Sequence, residues 1–160
     1  MTIKTGDHLP EATFIKAGPD GPDQVSAADF FKGRRVALFA VPGAFTPTCS
    51  AKHLPGFIER KDELAAKGID AIACTSVNDA FVLGAWSKAN DADGKVVMLA
   101  DGNGEFARAI GLEMDGSAYG MGTRSQRYAM IVNDGVVEQV HVEQPGEFKV
   151  SSADHLIEQL

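Results

Sequence analysis

The chain has 160 residues, of which 44% are hydrophobic and 23% charged, a composition typical of a folded globular protein rather than a disordered or fibrous one. Its formal net charge is -7 and its 15 lysines and arginines are scattered, which argues against nucleic acid as a partner because nucleic-acid binding needs a clustered basic surface. We expect residues 1–160 to form a single domain.

The N-terminus and the cysteine content bear on the compartment. The first ten residues, MTIKTGDHLP, lack the apolar core of a signal peptide, and no stretch approaches the roughly 18 apolar residues of a membrane span. We therefore expect a cytoplasmic protein with no membrane partner. Two cysteines do not make a disulfide framework, and a lone cysteine in a reducing compartment is more often catalytic, redox-active or buried.

The first half of the chain predicts an arm, a buried strand and a helix. Residues 11–26 alternate weakly around GPDGP at 18–22, a pattern that favours an N-terminal hairpin or an irregular arm. The continuous apolar run RVALFAV at 35–41 predicts a strand buried on both faces. Apolar residues at helical spacing then predict a helix from about Pro47 to Lys67, kinked at Pro55 because proline cannot donate to the carbonyl four residues earlier.

The middle of the chain continues the alternation of strand and helix. DAIACTSV at 70–77 predicts the second strand, and KVVMLA at 95–100 predicts the third. Between them, Asn78 is the expected cap of a helix that ends near Ala89. Apolar strands separated by amphipathic helices indicate right-handed crossovers and a parallel sheet.

The C-terminal part differs, because two strand patterns follow each other directly. Tyr128 to Val132 and Val136 to Val142 flank Asn133-Asp134-Gly135, which predicts a hairpin with a primed turn. Ser151 or Ser152 is the expected cap of a last helix. A βαβ core followed by a hairpin and a terminal helix is the order of a thioredoxin-like α/β fold, with a mixed central sheet flanked by helices.

Cys49 follows the first buried strand, in the rigid segment VPGAFTPTCS at 41–50. Ligands of open α/β sheets collect at the carboxyl ends of the strands, where the next helices begin. With Thr46 as N-cap and Pro47 at the first helical position, Cys49 falls in the first turn, where backbone N–H groups and the helix dipole favour a thiolate. The pattern predicts a nucleophilic cysteine; the alternative is an inert buried one.

His53 lies four residues after Cys49, on the same face of the predicted helix. This spacing suits a metal pair, a Cys–His catalytic dyad, or a histidine with a local hydrogen-bonding or packing role. The sequence offers no further cluster of metal ligands near this pair, so we expect no metal.

Pro42, Thr46 and Cys49 fit the pattern Pro-x-x-x-Thr-x-x-Cys. The string VPGAFTPTCSAKHLPGF around them resembles the active-site segment of the peroxiredoxin five subfamily, also called type II peroxiredoxins. Further segments of the same character follow in order: SVNDAFV at 76–82, LADG at 99–102, GTRSQRYAMIVNDG at 122–135 and VSSAD at 150–154. The resemblance covers essentially the whole chain. It implies a thioredoxin fold with an N-terminal extension and a thiol peroxidase that uses no metal or other cofactor.

The resemblance also implies roles for individual residues. Cys49 would be the peroxidatic cysteine, whose thiolate attacks hydrogen peroxide or an organic hydroperoxide and becomes a sulfenic acid. Thr46 would hydrogen-bond the sulfur and the peroxide, and Pro42 would shield the pocket. Arg127 matches the active-site arginine of the family, and Arg124 is a secondary candidate in the same block. A guanidinium suits this role because it stays charged and offers a planar fork of donors.

The sequence departs from part of the family in its second thiol. Animal members carry a resolving cysteine in the C-terminal loop, where this chain has Ser151. Cys74 matches a cysteine common in plant and bacterial relatives, but a direct bridge needs Cα atoms within about 7 Å. We therefore expect Cys74 to be structural, with a resolving role as the secondary possibility. The reductant would be an external thiol, such as glutathione, glutaredoxin or thioredoxin, and the resemblance implies a homodimer.

Two other functions remain open at the level of sequence. One is a peroxide-sensing redox signalling protein on the same fold, and the other is a cysteine hydrolase that pairs Cys49 with His53 or His141. Phe45, Tyr119 and Met121 are candidates either for an apolar approach to the site or for core and interface positions.

Overall fold

The structure is a computed structural model, and it describes residues 2–18 and 20–160, with Cys49 described without its side chain. The strands are β1 Thr13–Gly18, β2 Gly21–Ser26, β3 Arg35–Ala40, β4 Ala71–Ser76, β5 Val97–Ala100, β6 Glu113–Asp115, β7 Thr123–Ser125, β8 Tyr128–Asn133 and β9 Val136–Val142. The α-helices are α1 Ala27–Phe31, α2 Leu54–Glu59, α3 Lys61–Ala66, α4 Ala80–Ala89, α5 Glu105–Ala109 and α6 Ala153–Gln159. A π-helical turn spans Cys49–His53, and a 3₁₀ turn spans Ser117–Tyr119.

Seven strands form one mixed sheet in the order β2-β1-β5-β4-β3-β8-β9. Strands β3, β4 and β5 are parallel, and the hairpins β1–β2 and β8–β9 extend the sheet by antiparallel pairing at its two edges. This is the thioredoxin-like fold that the sequence predicts, with its helices on the two faces of the sheet. Strands β6 and β7 form a separate small sheet.

The continuous apolar strands are explained by helices on both faces of the sheet. Along β3, Phe39 faces one side and Leu38 the other, and both are fully buried. The Phe39 side is covered by helices α2, α3, α4 and α6, with Leu54, Phe57, Leu64, Leu83, Trp86 and Leu156 among their buried residues. The Leu38 side is covered by α1 and α5, with Phe30, Phe31, Phe106 and Ile110. Parallel strands need this double cover because neither of their faces is polar.

The long helix predicted from Pro47 to Lys67 is interrupted. Its first part contains the π-helical turn Cys49–His53, which ends shortly before Pro55. Because Pro55 has no N–H to donate to the carbonyl of Ala51, the irregularity lies where the proline predicts it. A second bend lies at Arg60, whose backbone (φ -96°, ψ 11°) separates α2 from α3.

The predicted caps of α4 and α6 and the predicted turn between β8 and β9 can be compared with the structure. The expected cap Asn78 is wrong, because Asp79 caps α4 by accepting a hydrogen bond from the amide of Val82 at 2.8 Å. Ser152, one of the two candidates, caps α6. The primed turn is confirmed, since Asp134 and Gly135 both have positive φ, at 50° and 81°. No helix in residues 2–18 or 20–160 is long and apolar enough to cross a membrane.

Candidate active site

The segment between β3 and the first helical turn forms a tight bend at the carboxyl end of the sheet. The amide of Val41 still donates to Thr75 of β4, at 3.2 Å. The bend then closes on Thr46, whose hydroxyl donates to the carbonyl of Gly43 at 2.7 Å. Phe45 takes a left-handed conformation, with φ of 65°, to complete the bend. A Cβ at Gly43 would lie 3.2 Å from the Thr46 methyl, so the close packing here favours glycine.

Asn78 fastens this bend to the neighbouring strand connection. Its side-chain oxygen accepts hydrogen bonds from the amide of Ala44 at 2.9 Å and from the hydroxyl of Ser76 at 2.6 Å. Sequence reasoning assigned Asn78 to a helix cap and missed this role. No local pattern could have revealed it, because Ala44 is 34 positions earlier in the chain.

The helical turn that follows carries Cys49. The amide of Ser50 donates to the carbonyl of Thr46 at 3.0 Å, so helical bonding starts at Thr46, as the sequence predicts. Cys49 therefore lies in the first turn. The prediction of a reactive thiol concerns its side chain, which lies outside the described residues.

Arg127, immediately before β8, contacts the same helical turn. One terminal nitrogen of its guanidinium lies 2.7 Å from Nδ1 of His53, and the guanidinium carbon is 5.9 Å from the ring centre of Phe148. Arg127 also lines a cavity of about 340 Å³ with Pro42 and Thr48. The structure thus brings Pro42 and Arg127 together beside the turn that carries Cys49.

His53 is completely buried, and both of its ring nitrogens are engaged. Nδ1 accepts from Arg127, and Nε2 donates to the carbonyl of Ser151 at 2.9 Å. Burial and the neighbouring Arg127 charge lower the pKa of His53 to about 3. The ring is therefore neutral at physiological pH, with its acceptor already used. This arrangement supports the hydrogen-bonding interpretation over a metal ligand or a general base.

Glu143 is a site residue that sequence reasoning missed. Its Oε2 accepts four hydrogen bonds, from the amides of Lys149, Val150 and Ser151 and from the Ser151 hydroxyl. Burial raises the pKa of Glu143, but the hydrogen bonds from Ser151 and its neighbours outweigh it and hold the pKa below its usual value. No local pattern marks this role, because the partners of Glu143 lie six to eight positions later in the loop that follows it and form no periodic pattern with it.

Arg124 also lies beside the bend, since a Cβ at Gly43 would be 3.4 Å from one of its terminal nitrogens. Its Nε donates to the carbonyl of Met121 at 2.9 Å, and one terminal nitrogen donates to the carbonyl of Val77 at 3.2 Å. These contacts join β7 to the connection after β4. Arg124 therefore ties backbone segments together, whereas Arg127 is tied to the helical turn that carries Cys49.

Cys74 lies in the middle of the sheet. It is fully buried in β4, where it pairs with Phe39 of β3 and Met98 of β5. This position is consistent with the expected structural role.

The candidate partners of the hydrolase interpretation are both occupied. His53 is engaged as described, and His141 lies in the edge strand β9, where its Nε2 is 3.0 Å from the side-chain oxygen of Gln139. Its ring also packs edge-on against His155 of α6. The acceptor nitrogen of His53 is therefore unavailable to a nucleophile, and one ring nitrogen of His141 is already engaged.

Comparisons with known proteins place the fold and the site in context. The sequence profile of the Redoxin family matches residues 4–157. The chain is 54% identical to "Peroxiredoxin-2E-2, chloroplastic" of Oryza sativa subsp. japonica, over 99% of this chain and 73% of that protein. It is 47% identical to "Peroxiredoxin-2E, chloroplastic" of Arabidopsis thaliana, over 99% of this chain and 70% of that protein. A crystal structure of reduced Prx3 from Vibrio vulnificus in complex with hydrogen peroxide has a TM-score of 0.94 and 49% identity, over 99% of each chain.

The two plant names contradict the expectation of a cytoplasmic location, which was wrong on this comparison. That expectation depended on the absence of an apolar signal-peptide core from the first ten residues. Plastid targeting segments are amphipathic and have no such core, so its absence does not distinguish a plastid from the cytoplasm.

Proposed function

This chain belongs to the Redoxin family and is a peroxiredoxin-type thiol peroxidase, and we propose that Cys49 is its peroxidatic cysteine. The observation that carries the assignment is the position of Cys49 in the first turn of a helix. Helical hydrogen bonding starts at the carbonyl of Thr46, and His53, at the end of the same turn, binds Arg127. We also propose membership of the type II, or peroxiredoxin five, subfamily, on the strength of the segment VPGAFTPTCSAKHLPGF.

The proposed reaction is an in-line displacement at a peroxide oxygen. The Cys49 thiolate forms a bond to one oxygen, the O–O bond breaks, and the departing oxygen takes up a proton to leave as water or an alcohol. Cys49 is oxidised by two electrons to a sulfenic acid, and the peroxide is reduced. Arg127 and the N–H groups of the first turn stabilise the charge that builds on the departing oxygen. The Thr46 hydroxyl, whose proton bonds the Gly43 carbonyl, offers its oxygen to the peroxide as a hydrogen-bond acceptor.

The cavity beside Pro42 is the proposed approach for the substrate. With a volume of about 340 Å³ it is larger than hydrogen peroxide needs, and its lining includes the side chains of Met114 and Pro145. This size and partly apolar lining support reduction of alkyl hydroperoxides as well as hydrogen peroxide. Pro42, which lines the cavity, would shield the reacting groups from solvent.

The proposed reductant is an external thiol. A thiol such as glutathione attacks the sulfenic sulfur, a mixed disulfide forms, and water leaves. A second thiol, from glutathione, a glutaredoxin or a thioredoxin, then releases the reduced Cys49. The burial of Ser151 and Cys74 supports an external route over an internal one.

The decisive experiment compares two substitutions. Cys49→Ser should abolish peroxide consumption while the protein keeps its fold, because it removes the nucleophile. Cys74→Ser, a matched change in β4, should keep most of the turnover with peroxide and glutathione. Substantial peroxidase activity in Cys49→Ser would overturn the assignment. Slow wild-type turnover together with a stable protein partner would favour the peroxide-sensing alternative.

We further propose that the protein forms a homodimer through exposed aromatic residues beside the site. Phe45, Phe81 and Tyr119 are 55%, 76% and 83% exposed, an unusual exposure for such large apolar groups. Arg124 joins the segments that carry Tyr119 and Phe81, since it bonds both Met121 and Val77. Sedimentation should show a dimer in the wild-type protein and a shift toward monomer in Tyr119→Asp, and a wild-type monomer would contradict the proposal.

A further inference from the structure

Four residues beside the proposed site are joined in a closed ring of hydrogen bonds. The Arg127 guanidinium meets Nδ1 of His53 at 2.7 Å, and Nε2 of His53 lies 2.9 Å from the carbonyl oxygen of Ser151. The amide and hydroxyl of Ser151 donate to Oε2 of Glu143, and the amide of Glu143 donates to the carbonyl of Arg127 at 3.0 Å. The ring ties three separate segments to the helical turn that carries Cys49.

The chemistry of the groups fixes the direction of each bond. A guanidinium can only donate, and a carbonyl oxygen can only accept. Nδ1 of His53 is therefore the acceptor, and Nε2 carries the proton, which is one tautomer of the neutral imidazole. A protonated ring would point a second donor at Arg127.

The imidazole is also held in place by packing. The rings of Phe39, Phe148 and Phe57 lie around it, with centroid distances of 4.7, 5.0 and 5.7 Å. His53 is fully shielded from solvent. In such a site a neutral acceptor can orient a cation without cancelling its charge, whereas a carboxylate at the same place would offset it.

We propose that His53 is a positioning residue for Arg127, an inference that builds on the peroxidase function proposed above. Its neutral imidazole holds the guanidinium against the turn that carries Cys49 and leaves the positive charge for the thiolate and the departing peroxide oxygen. Ser151 locks the tautomer of His53, and Glu143 fixes the loop that presents the Ser151 carbonyl. His53 acts on the reaction only through Arg127.

The test compares His53→Leu with His53→Asn. The two replacements have the same number of side-chain heavy atoms and the same branching, but only asparagine keeps an acceptor close to the Nδ1 position. Two quantities are measured: the rate of Cys49 oxidation by peroxide in stopped flow, and the pKa of Cys49 from the pH dependence of its alkylation. His8→Gln is the control, because His8 is exposed and pairs with Val136 at the opposite end of the sheet.

Loss of the acceptor should slow oxidation in His53→Leu by about 10- to 100-fold, since small displacements of an oriented group have effects of this size. The pKa of Cys49 should rise in the same variant. His53→Asn should keep most of the rate and a lower pKa. Equal behaviour of the two variants, or a folded His53→Leu protein with unchanged rate and pKa, would overturn the proposal.

The alkylation measurement separates this proposal from the proposed function. If the wild-type protein reduces no peroxide, the peroxidase assignment fails, while the comparison of Cys49 pKa values still decides the role of His53. If His53→Leu does not fold, ¹⁵N NMR of wild-type protein labelled at histidine decides it. His53 should show the Nε2–H tautomer without change from pH 8 to pH 5, and an Nδ1–H tautomer or a titration in that range would overturn the proposal.

Discussion

Arg127 and Arg124 are three positions apart in the sequence but have different partners. Arg127 bonds the His53 side chain on the helical turn of Cys49, and Arg124 bonds the backbone carbonyls of Met121 and Val77. Position in the sequence alone does not separate these roles. The structure does, because one guanidinium is held at the proposed site and the other braces the loops around it.

A pair of alanine substitutions tests this difference. Arg127→Ala should raise the pKa of Cys49 and slow its oxidation by about a hundredfold or more, because a preorganised donor to the developing charge is lost. Arg124→Ala should affect the rate less and lower the free energy of unfolding by about 1 kcal/mol through lost hydrogen bonds. Stopped-flow oxidation across pH, together with urea unfolding, measures both effects. Equal small losses of rate would mean that the catalytic guanidinium is misplaced.

The low pKa of His53 leads to a prediction for stability. In the folded protein the pKa is lowered to about 3 by burial and Arg127, whereas the ordinary value is 6.5. Between these values the unfolded chain binds a proton that the folded protein does not, so stability falls as pH falls. One such proton changes the free energy of unfolding by about 1.4 kcal/mol per pH unit.

Urea unfolding of the wild-type protein and of His53→Asn between pH 6.5 and pH 5 isolates this effect, because His141, whose pKa is also lowered by burial and by His155, contributes equally to both proteins. The carboxylate of Glu143 contributes in the same direction, but only nearer its ordinary value of 4.5. The wild-type protein should therefore lose stability more steeply over this interval than His53→Asn, which has no group to titrate at this position. Parallel curves for the two proteins would show that His53 is not held neutral by the fold.

The residues of the site divide into those that sequence could identify and those that it could not. Pro42, Thr46 and Cys49 were accessible because they lie within eight positions and form one local pattern. Asn78 was not, because its partner Ala44 is 34 positions earlier, and Glu143 was not, because its partners six to eight positions later lie in a loop with no periodic pattern. His53 was noticed for its spacing, but its tautomer depends on Arg127 and Ser151, which are 74 and 98 positions away.

Side-chain hydrogen bonds connect the elements around the site in addition to the sheet ladder. Asn78 is the clearest case, because it bridges the bend after β3 and the connection after β4. Local signals described the strands and the hairpin turn well, since buried strands and primed turns have strong patterns. They did not reveal α1, α5, β6 or β7, which have only three to five residues each and are too short for periodicity.

Neighbouring substitutions at the start of α4 separate site geometry from helix stability. Asn78→Ala leaves the Ala44 amide and the Ser76 hydroxyl without this acceptor, so it should loosen the bend and slow Cys49 oxidation. It should also cost about 1–3 kcal/mol of stability. Asp79→Ala removes only the helix cap and should cost about 0.5–2 kcal/mol with no change in the oxidation rate. The prediction is contradicted if both variants, compared under conditions where both are fully folded, slow Cys49 oxidation equally.

At the scale of the whole molecule, the sheet order determines which groups can reach Cys49. Alternation of strands and helices predicted the parallel core, but not the side on which each hairpin joins it. The structure places β1–β2 beside β5 and β8–β9 beside β3, which leaves β4 in the centre of the sheet. Edge placement depends on packing between distant segments, so no local period encodes it. Cys74 therefore lies in one of the most protected strands.

This placement predicts that an external thiol, and not Cys74, reduces the Cys49 sulfenic acid. Cys74 is buried in a central strand beneath the helices on the Phe39 side of the sheet, so a bridge to Cys49 would require β4 or the helical turn above it to open, and such opening costs up to the global stability. A small thiol such as glutathione needs only the cavity beside Pro42 and Arg127. Protein treated with peroxide alone should therefore accumulate sulfenic and then sulfinic acid, and added glutathione should divert it to a mixed disulfide on Cys49. Intact-mass and peptide mass spectrometry distinguish these products. A rapid, stoichiometric Cys49–Cys74 disulfide within one chain would instead contradict the external route and mean that β4 or the helical turn above it opens readily.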